Sequence, residues 1–407
     1  MTPHRRPPIS DPRVLALVRA ARTARGAGMS RRAFLGAVGA AGAGALLSAC
    51  GDGDEGAQPV GSGSSSAEEL VRWANWTLYV DRDDTGASPS ISAFEQQTGI
   101  RVEYSEVIED NESFYAGVSA QFEAGRDIGY DLVTVTDFMA ARLIRLGYAQ
   151  ELDKSRIPNA ENLLPSLVLP DFDMGRARSL TWQSGFAGIA WDKNQLPGGL
   201  RTVSDLWNPD LAGRVEVLAE MRDTMGLLLF EQGIDPASGW SDADFYDALE
   251  ILRGKLESGH IRKISGNSYT DNLVSGDAAA VFAWSGDITA LNYEHDDRFA
   301  FAIPEAGGML FSDNLLVPVG SPHRAEAESL MDFYYDPEIA AQVAAWVNYI
   351  TPVEGAREAM LAIDPSLAEN PSIFPDAEML ANVTVFRTLD AAEDERYTNE
   401  FLAVQEA

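Results

Sequence analysis

Cysteine is almost missing from this chain of 407 residues: Cys50 is the only one. One thiol cannot build an internal disulfide framework, and a Cys/His metal cage is out of reach as well. Histidine is scarce too, and the three in the body (His260, His295, His323) lie far apart. There is no His-Glu-x-x-His, no Gly-x-Ser-x-Gly and no Walker loop, and Gly185, Gly188, Gly198 and Gly199 form no phosphate-binding pattern. No nucleophile, base and orienter stand together, so we expect no enzyme, no metal and no cofactor. Positive charge is short as well: 31 basic residues face 62 acidic ones, a formal charge of −31. Nucleic acid is excluded as a partner, because binding it requires Lys and Arg to neutralise phosphates. An acidic surface instead concentrates cations. Paired carboxylates are so abundant that no single pair is informative.

The basic residues that exist are unevenly placed. Residues 1–34 hold eight arginines (Arg5, Arg6, Arg13, Arg19, Arg22, Arg25, Arg31, Arg32) and one acid, Asp11. Leu35 to Ala49 is apolar and small, but shorter than the ~20 residues a membrane span takes. A basic region followed by a short apolar run reads as an export signal. Ser30-Arg31-Arg32-Ala33-Phe34-Leu35 resembles the twin-arginine export motif, and Leu47-Ser48-Ala49-Cys50 resembles a lipobox. The expectation is a signal peptide over 1–49, a lipid-modified Cys50 and a flexible Gly/Ser/Asp/Glu tether through 67. More than one acyl chain is needed for stable anchoring, each buried CH₂ contributing ~0.8 kcal/mol. Without 1–49, 23 basic and 61 acidic residues remain, a formal charge of −38. About 340 residues are left for the body, enough for two domains.

Periodicity within that body predicts an α/β fold. Val71 to Trp76 reads as a strand running into Thr77-Leu78-Tyr79, Ser90 to Thr98 as a helix stopped by Gly99, and Ile100 to Tyr104 as a strand. A helix over Ser113 to Ala124, a buried strand over Tyr130 to Val135 and a helix over Phe138 to Leu146 follow. This alternation predicts a mostly parallel sheet covered by helices. Later strands are expected at Gly188 to Trp191, Arg214 to Leu218, Ala278 to Trp284 and Leu315 to Val319. Helices are expected at Thr224 to Gln232, Asp242 to Leu256, Ala325 to Tyr335 and Pro337 to Val347. Two α/β blocks without a long linker suggest two lobes and a cleft. The repeated Ser-Gly-Asp at 275–277 and 285–287 reads as chance.

Aromatic residues and carboxylates gather where strands end. Trp76, Thr77 and Tyr79 follow the first strand, and Thr136, Asp137 and Phe138 follow the third. Glu220, Met221, Arg222 and Asp223 come after Leu218, Trp284 precedes Ser285-Gly286-Asp287, and Asp313 precedes Leu315. In open α/β sheets ligands bind beyond the carboxyl ends of strands. Carboxylates beside aromatic faces suit a cation with an apolar body: charge-assisted hydrogen bonds are worth ~1.5–3 kcal/mol and cation–π contacts about 0.5–2 kcal/mol. Arg222 is expected to point away or to pair with a carboxylate, since a positive charge in the site would repel such a ligand.

From Val71 to Val353 the chain resembles the spermidine/putrescine-binding proteins, the substrate-binding components of bacterial ABC importers for polyamines. The phrases that carry the resemblance are NWTLYV (75–80), YDLVTVTDFMAARLIRLGYAQELDKSRIPNAENL (130–163), TVSDLWNPDLAGRVEVL (202–218), EMRD (220–223), FAWSGD (282–287), GGMLFSDNLLVP (307–318) and NYITP (348–352). The resemblance implies a two-lobe periplasmic-binding-protein-like fold with a hinge and an interlobe ligand cleft, closing by hinge bending. It places 68–184 plus 316–353 in one lobe and 185–315 plus 354–407 in the other. Trp76, Thr77 and Tyr79 match a first ligand-binding loop, and Thr136, Asp137 and Phe138 a second. Glu220 and Asp223 match an acidic pair that grips ammonium groups, Trp284 an aromatic wall, Asp313 an amine-binding carboxylate and Tyr349 a cleft tyrosine. Phe311 stands where better-known members have Trp, which keeps apolar cover but removes an N–H donor. Phe386 aligns with a polar Gln. The implied partners are a polyamine, an ABC permease and, through Cys50, a membrane; the implied place is the extracytoplasmic side.

Other readings remain at this point. A ferric-iron carrier of the same fold would use adjacent tyrosines such as Tyr334-Tyr335, which also fit as core residues of an amphipathic helix. An exported hydrolase would need a catalytic set that the sequence does not display, and a purely structural lipoprotein would leave the aromatic and acidic strand ends without a role.

Overall fold

The computed structural model describes residues 69–168 and 170–405, so the expected signal peptide, Cys50 and the tether lie outside the described residues. Strand β1 (Leu70–Trp76) is buried nearly throughout, as a strand covered on both faces must be. It leads to α1 (Pro89–Thr98), capped by the Ser88 side chain, opened by Pro89 and closed by Gly99 at φ 78°, a left-handed value that glycine adopts without cost. Strand β2 (Arg101–Ile108), helix α2 (Asn111–Glu123), strand β3 (Leu132–Thr136) and helix α3 (Asp137–Arg145) complete this half. β1 lies between β2 and β3 and is parallel to both.

A long strand, β4 (Ser179–Asp192), then leads into the second half: β5 (Val215–Leu218), α4 (Met221–Glu231), α5 (Asp242–Glu257), β6 (Ile261–Ser265), α6 (Tyr269–Ser275), β7 (Ala280–Trp284), α7 (Ser285–Glu294) and β8 (Phe299–Ala302). Strand β9 (Gly308–Leu316) returns to the first half, where α8 (Arg324–Tyr334), α9 (Pro337–Val347) and α10 (Ala356–Ile363) pack. Strand β10 (Val383–Thr384) pairs with β9, and the helix Ala391–Gln405 ends the described chain. Among the described residues one sheet runs β2-β1-β3-β9-β4-β7-β5-β6, with β8 and β10 beside β4 and β9.

This sheet is mixed, not mostly parallel. The outer pairs are parallel, whereas β9 is antiparallel to β3 and to β4, and β4 to β7 and β8. Both central strands are also longer than the sequence indicates. β4 starts at Ser179 rather than Gly188 because Ser179, Thr181, Gln183 and Ser184 are buried polar residues inside it and break the apolar pattern. β9 spans Gly308–Leu316 rather than 315–319: Ser312-Asp313-Asn314 reads as a loop in isolation but is paired to β4, with Asp313 and Asn314 paired to β3 as well, and Pro318, lacking an N–H, lies beyond its end. Strands β6 and β8 and helices α6 and α7 had no clear periodic signal.

These two strands join two bodies, so the molecule is a two-lobe α/β structure. Leu180 and Trp182 of β4 belong to one core, with Trp73, Phe94, Leu315 and Tyr334; Ala187 and Ile189 belong to the other, with Leu228, Phe245 and Phe282. The crossing falls between, where Ser184 and Ser312 share a 2.7 Å hydroxyl hydrogen bond. Trp73 anchors the first core edge-on to Trp182 at 5.1 Å and Tyr104 at 5.2 Å. The tail is divided: Ala356, Met360, Leu367 and Ile373 pack into the first core, Phe386, Tyr397 and Phe401 into the second. Assigning all of 354–407 to the second lobe is therefore incorrect for about the first twenty residues, because α10 lays its apolar face on the first core rather than crossing over.

Candidate ligand-binding site

Asp313 sits on β9 at the crossing between the bodies and is only 5% exposed. In register it faces Thr136, the last residue of β3, whose hydroxyl donates to Oδ1 at 2.8 Å. Leu78, at φ 57°, turns the chain after β1, and Tyr79 Oη donates to the other carboxylate oxygen at 2.8 Å. Asn111 fixes Thr136 through two hydrogen bonds and reaches Glu220 Oε2 of the second body at 3.4 Å. Glu220 is the N-cap of α4 and Asp223 lies in its first turn, where a helix favours negative charge. Trp284, the last residue of β7, donates its indole N–H to Asp223 at 2.8 Å.

Burial dominates the electrostatics of these acids. It pushes Asp313 up to about 7 against the hydrogen bonds from Tyr79 and Thr136, with Asp137 and Asp223 adding repulsion. Glu220 is pushed up to about 8, again by burial, with Arg222 opposing and Asp223 and Glu112 reinforcing. Asp223 rises to about 6 by burial, opposed by the Trp284 hydrogen bond and Arg222. Among the described residues none of these three carboxyls has a salt-bridge partner within 4 Å, and a cation placed beside them would favour their charged forms.

An aromatic run continues from them. Tyr79 meets Tyr349 edge-on at 5.4 Å, Tyr349 meets Phe311 at 6.1 Å, Phe311 meets Trp284 at 6.4 Å and Trp284 meets Tyr269 at 6.0 Å. Tyr349 lies against two glycines: a Cβ at Gly185 would stand 2.7 Å from its ring, and one at Gly286 2.5 Å. Gly286 is helical, so Ala there gains propensity, but a buried ring with glycine on two sides has nowhere to move. Gly286→Ala is expected to destabilise the ligand-free protein by about 1–3 kcal/mol, as overpacking does. Urea unfolding checks this, and an unchanged midpoint would show that Tyr349 is free to yield.

Of the residues expected from the sequence, Tyr79, Thr136, Glu220, Asp223, Trp284, Phe311, Asp313 and Tyr349 are thus brought together. Four are placed otherwise. Asp137 leaves the cluster, since it accepts from Asn314 at 2.7 Å, and Asn314 and Asp313 project from opposite faces of β9. Burial pushes Asp137 up to about 6, with Asn314 and Arg176 opposing. Trp76 packs on the first core and its neighbouring cluster, Thr77 is exposed in the turn after β1, and Phe138 has one face covered by the Arg222 guanidinium at 3.8 Å. Arg222 does point away, as expected, and pairs with Asp394 at 2.7 Å. Phe386 lies against Trp240 at 5.4 Å in the second core and not in the cleft.

Sequence reasoning missed Asn111, Tyr269 and Asp287. Asp287 accepts from Tyr349 Oη at 3.0 Å and from Tyr269 Oη at 2.8 Å, which makes it the fourth carboxylate beside the aromatic run. The available signal was its position three residues after Trp284, in the first turn of α7. The other Ser-Gly-Asp is unrelated, since Asp277 lies at the surface with Arg262. Tyr334 and Tyr335 are packed in the first core, Tyr334 Oη 3.0 Å from Ser90 Oγ and Tyr335 Oη donating to the Thr181 carbonyl at 2.6 Å.

Known proteins share this architecture. Over 350 residues the chain is 28% identical to spermidine/putrescine-binding periplasmic protein 1 of Haemophilus influenzae, covering 86% of this chain and 92% of that one. It is 26% identical over 367 residues to the putrescine-binding periplasmic protein PotF of Escherichia coli, covering 85% and 94%. Among solved structures, the Tp0655 (TpPotD) lipoprotein of Treponema pallidum superposes with a TM-score of 0.69 at 23% identity, over 83% of this chain and all of that one. Residues 90–375 match the model of a sequence family, bacterial extracellular solute-binding protein, and that span takes in both central strands and most of the acidic and aromatic cluster: the chain belongs to the bacterial extracellular solute-binding protein family.

Proposed function

We propose that this solute-binding protein captures a polyamine, spermidine or putrescine, outside the cytoplasm and delivers it to an ABC-transporter permease without altering it. The observation that carries this reading is the buried set Asp313, Glu220 and Asp223, which has no salt-bridge partner among the described residues and is continuous with the rings of Tyr79, Tyr349, Phe311 and Trp284. A polyamine is two or more ammonium groups joined by methylenes. Carboxylates take the ends, and rings cover the CH₂ groups at ~0.8 kcal/mol each. The names of the relatives point the same way. Ligand bound at the crossing of β4 and β9 would hold the lobes together, and reopening about residues 183–185 and 311–313 would release it. The twin-arginine and lipobox patterns supply the export route and a lipid anchor at Cys50.

Calorimetric titration of the purified protein with putrescine, spermidine and spermine tests the reading. One polyamine is expected to give a tight single-site isotherm, while arginine and ferric citrate give none. Silence from all three polyamines would overturn it. The ferric-iron alternative loses its main support, because the Tyr334-Tyr335 pair serves the core.

A further inference from the structure

The acidic pair Glu220 and Asp223 is separated in sequence by an arginine, and both acids feel its charge. A guanidinium is permanently charged and is carried on a long, flexible stem. Left to itself it would fold back onto the carboxylates beside it and occupy them. It does not: the Arg222 guanidinium carbon lies over the Phe138 ring, 3.8 Å from its centre, and Nη2 donates to Asp394 Oδ1 at 2.7 Å. Asp394 comes from the C-terminal helix, some 170 residues further along the chain. It is 3% exposed, and its helix is fastened to the second core by Tyr397 and Phe401.

We propose that Asp394 is a positioning residue that parks the Arg222 guanidinium away from Glu220 and Asp223 and so keeps this acidic pair open to a cationic ligand. The inference rests on the polyamine reading for its consequence, but not for its geometry. Asp394 also accepts from Arg142 Nε at 2.9 Å and from Arg145 Nη2 at 3.0 Å, so three arginines converge on one carboxylate. They are not equivalent. Arg142 has a second partner in Glu112 at 2.7 Å, and Arg145 is partly in solvent. Arg222 is the most dependent on Asp394, for its next attractive charge is Glu220. A buried guanidinium deprived of its partner moves to the nearest available anion. Here that anion belongs to the site.

The test uses the full chain. Asp394→Asn is expected to weaken spermidine or putrescine binding by at least about tenfold, as a competing internal cation must be displaced. Adding Arg222→Gln to Asp394→Asn removes the competitor and restores affinity to within about threefold of the parent. Arg142→Gln, which breaks the same bridge between the bodies without freeing Arg222, leaves affinity within about threefold. A double variant as weak as Asp394→Asn alone would overturn the proposal. Should Asp394→Asn fail to fold, Arg222→Lys and Arg222→Gln decide it: a lysine loses the planar fork and the ring stack but keeps the charge, so it weakens binding where Gln does not. Equal affinities for these two would overturn the proposal. A ligand-free crystal structure of Asp394→Asn, or of Arg222→Lys if the former does not fold, provides a readout independent of polyamines. The freed cation is expected at salt-bridge distance from Glu220 or Asp223, and its retention over Phe138 would overturn the inference. If the parent binds no polyamine, the functional reading fails alone, and the crystal structure still decides where Arg222 lies.

Discussion

Asp313→Ala is expected to weaken polyamine binding by at least about 100-fold, equivalent to about 2.7 kcal/mol. The carboxylate is buried at the crossing of the two bodies and is held by Tyr79 and Thr136 on one oxygen each. Both donors spend their protons on Asp313, so its charge is oriented, and a bound ammonium would gain a charge-assisted partner already stripped of water. Removing one member of such a desolvated pair costs ~2–5 kcal/mol, since the ammonium would remain buried without its counter-charge. Asp313→Asn separates charge from shape: it keeps the volume and can still accept one hydrogen bond, yet should lose nearly as much affinity. The same change should stabilise the ligand-free protein at pH 8, because the carboxylate that burial penalises is gone. Titration and urea unfolding of the two variants check both halves. Unchanged affinity in either variant would remove Asp313 from the site.

How much of this was legible in the sequence depended on whether a residue's role was set locally. The first β-α-β-α-β-α run was readable because each element carries its own signals: apolar periodicity marks it and Gly99 stops α1, although the Asp110 cap starts α2 at Asn111 rather than at Ser113. The sheet's centre was not, because β4 and β9 obtain their stability from pairing with distant strands, and their buried Ser, Thr, Gln and Asp side chains mimic a loop. The site divides along the same line. Tyr79, Thr136, Glu220, Asp223, Trp284 and Asp313 could be nominated from their place beside predicted strands and do converge, whereas Phe311 and Tyr349 came only with the family resemblance. Asp137 was equally well placed in sequence, yet the alternation of β9 sends its partner Asn314 to the opposite face from Asp313. Asp287 and Tyr269 required the tertiary structure, because what marks them is a shared hydrogen bond and not a pattern. Asp394 was the least visible, being far from Arg222 in the chain and useful only once the C-terminal helix is docked.

Polyamine affinity is expected to rise with pH between about 6 and 8, by up to tenfold per unit for each proton displaced. In the ligand-free protein burial raises Asp223 to about 6, Asp313 to about 7 and Glu220 to about 8, so at pH 6 these groups hold protons that a free carboxylate would have lost. A bound ammonium favours the charged form and expels them. Above pH 8 the acids are already ionised and affinity should level off, since alkylammonium groups remain charged until about pH 10. The sign for folding is opposite. These folded-state values lie above the unfolded ones, so these three groups bind more protons in the native state, and their contribution to the stability of the ligand-free protein is fully present below about pH 4 and is lost as pH rises towards 8. Asp394 does not share this behaviour: burial would raise it, but Arg142 and Arg222 outweigh burial and hold it at about 2, so its contribution is lost only as pH falls below the ordinary range towards that value. The arginine clamp therefore stays intact across the whole window in which the site titrates and adds nothing of its own to the pH profile. Calorimetry at pH 6 in buffers of different ionisation enthalpy should reveal proton release that vanishes by pH 9. A binding constant flat from pH 6 to 8 would mean that Asp313, Glu220 and Asp223 are ionised before the ligand arrives, and the site would then owe its affinity to pre-formed charge and not to displaced protons.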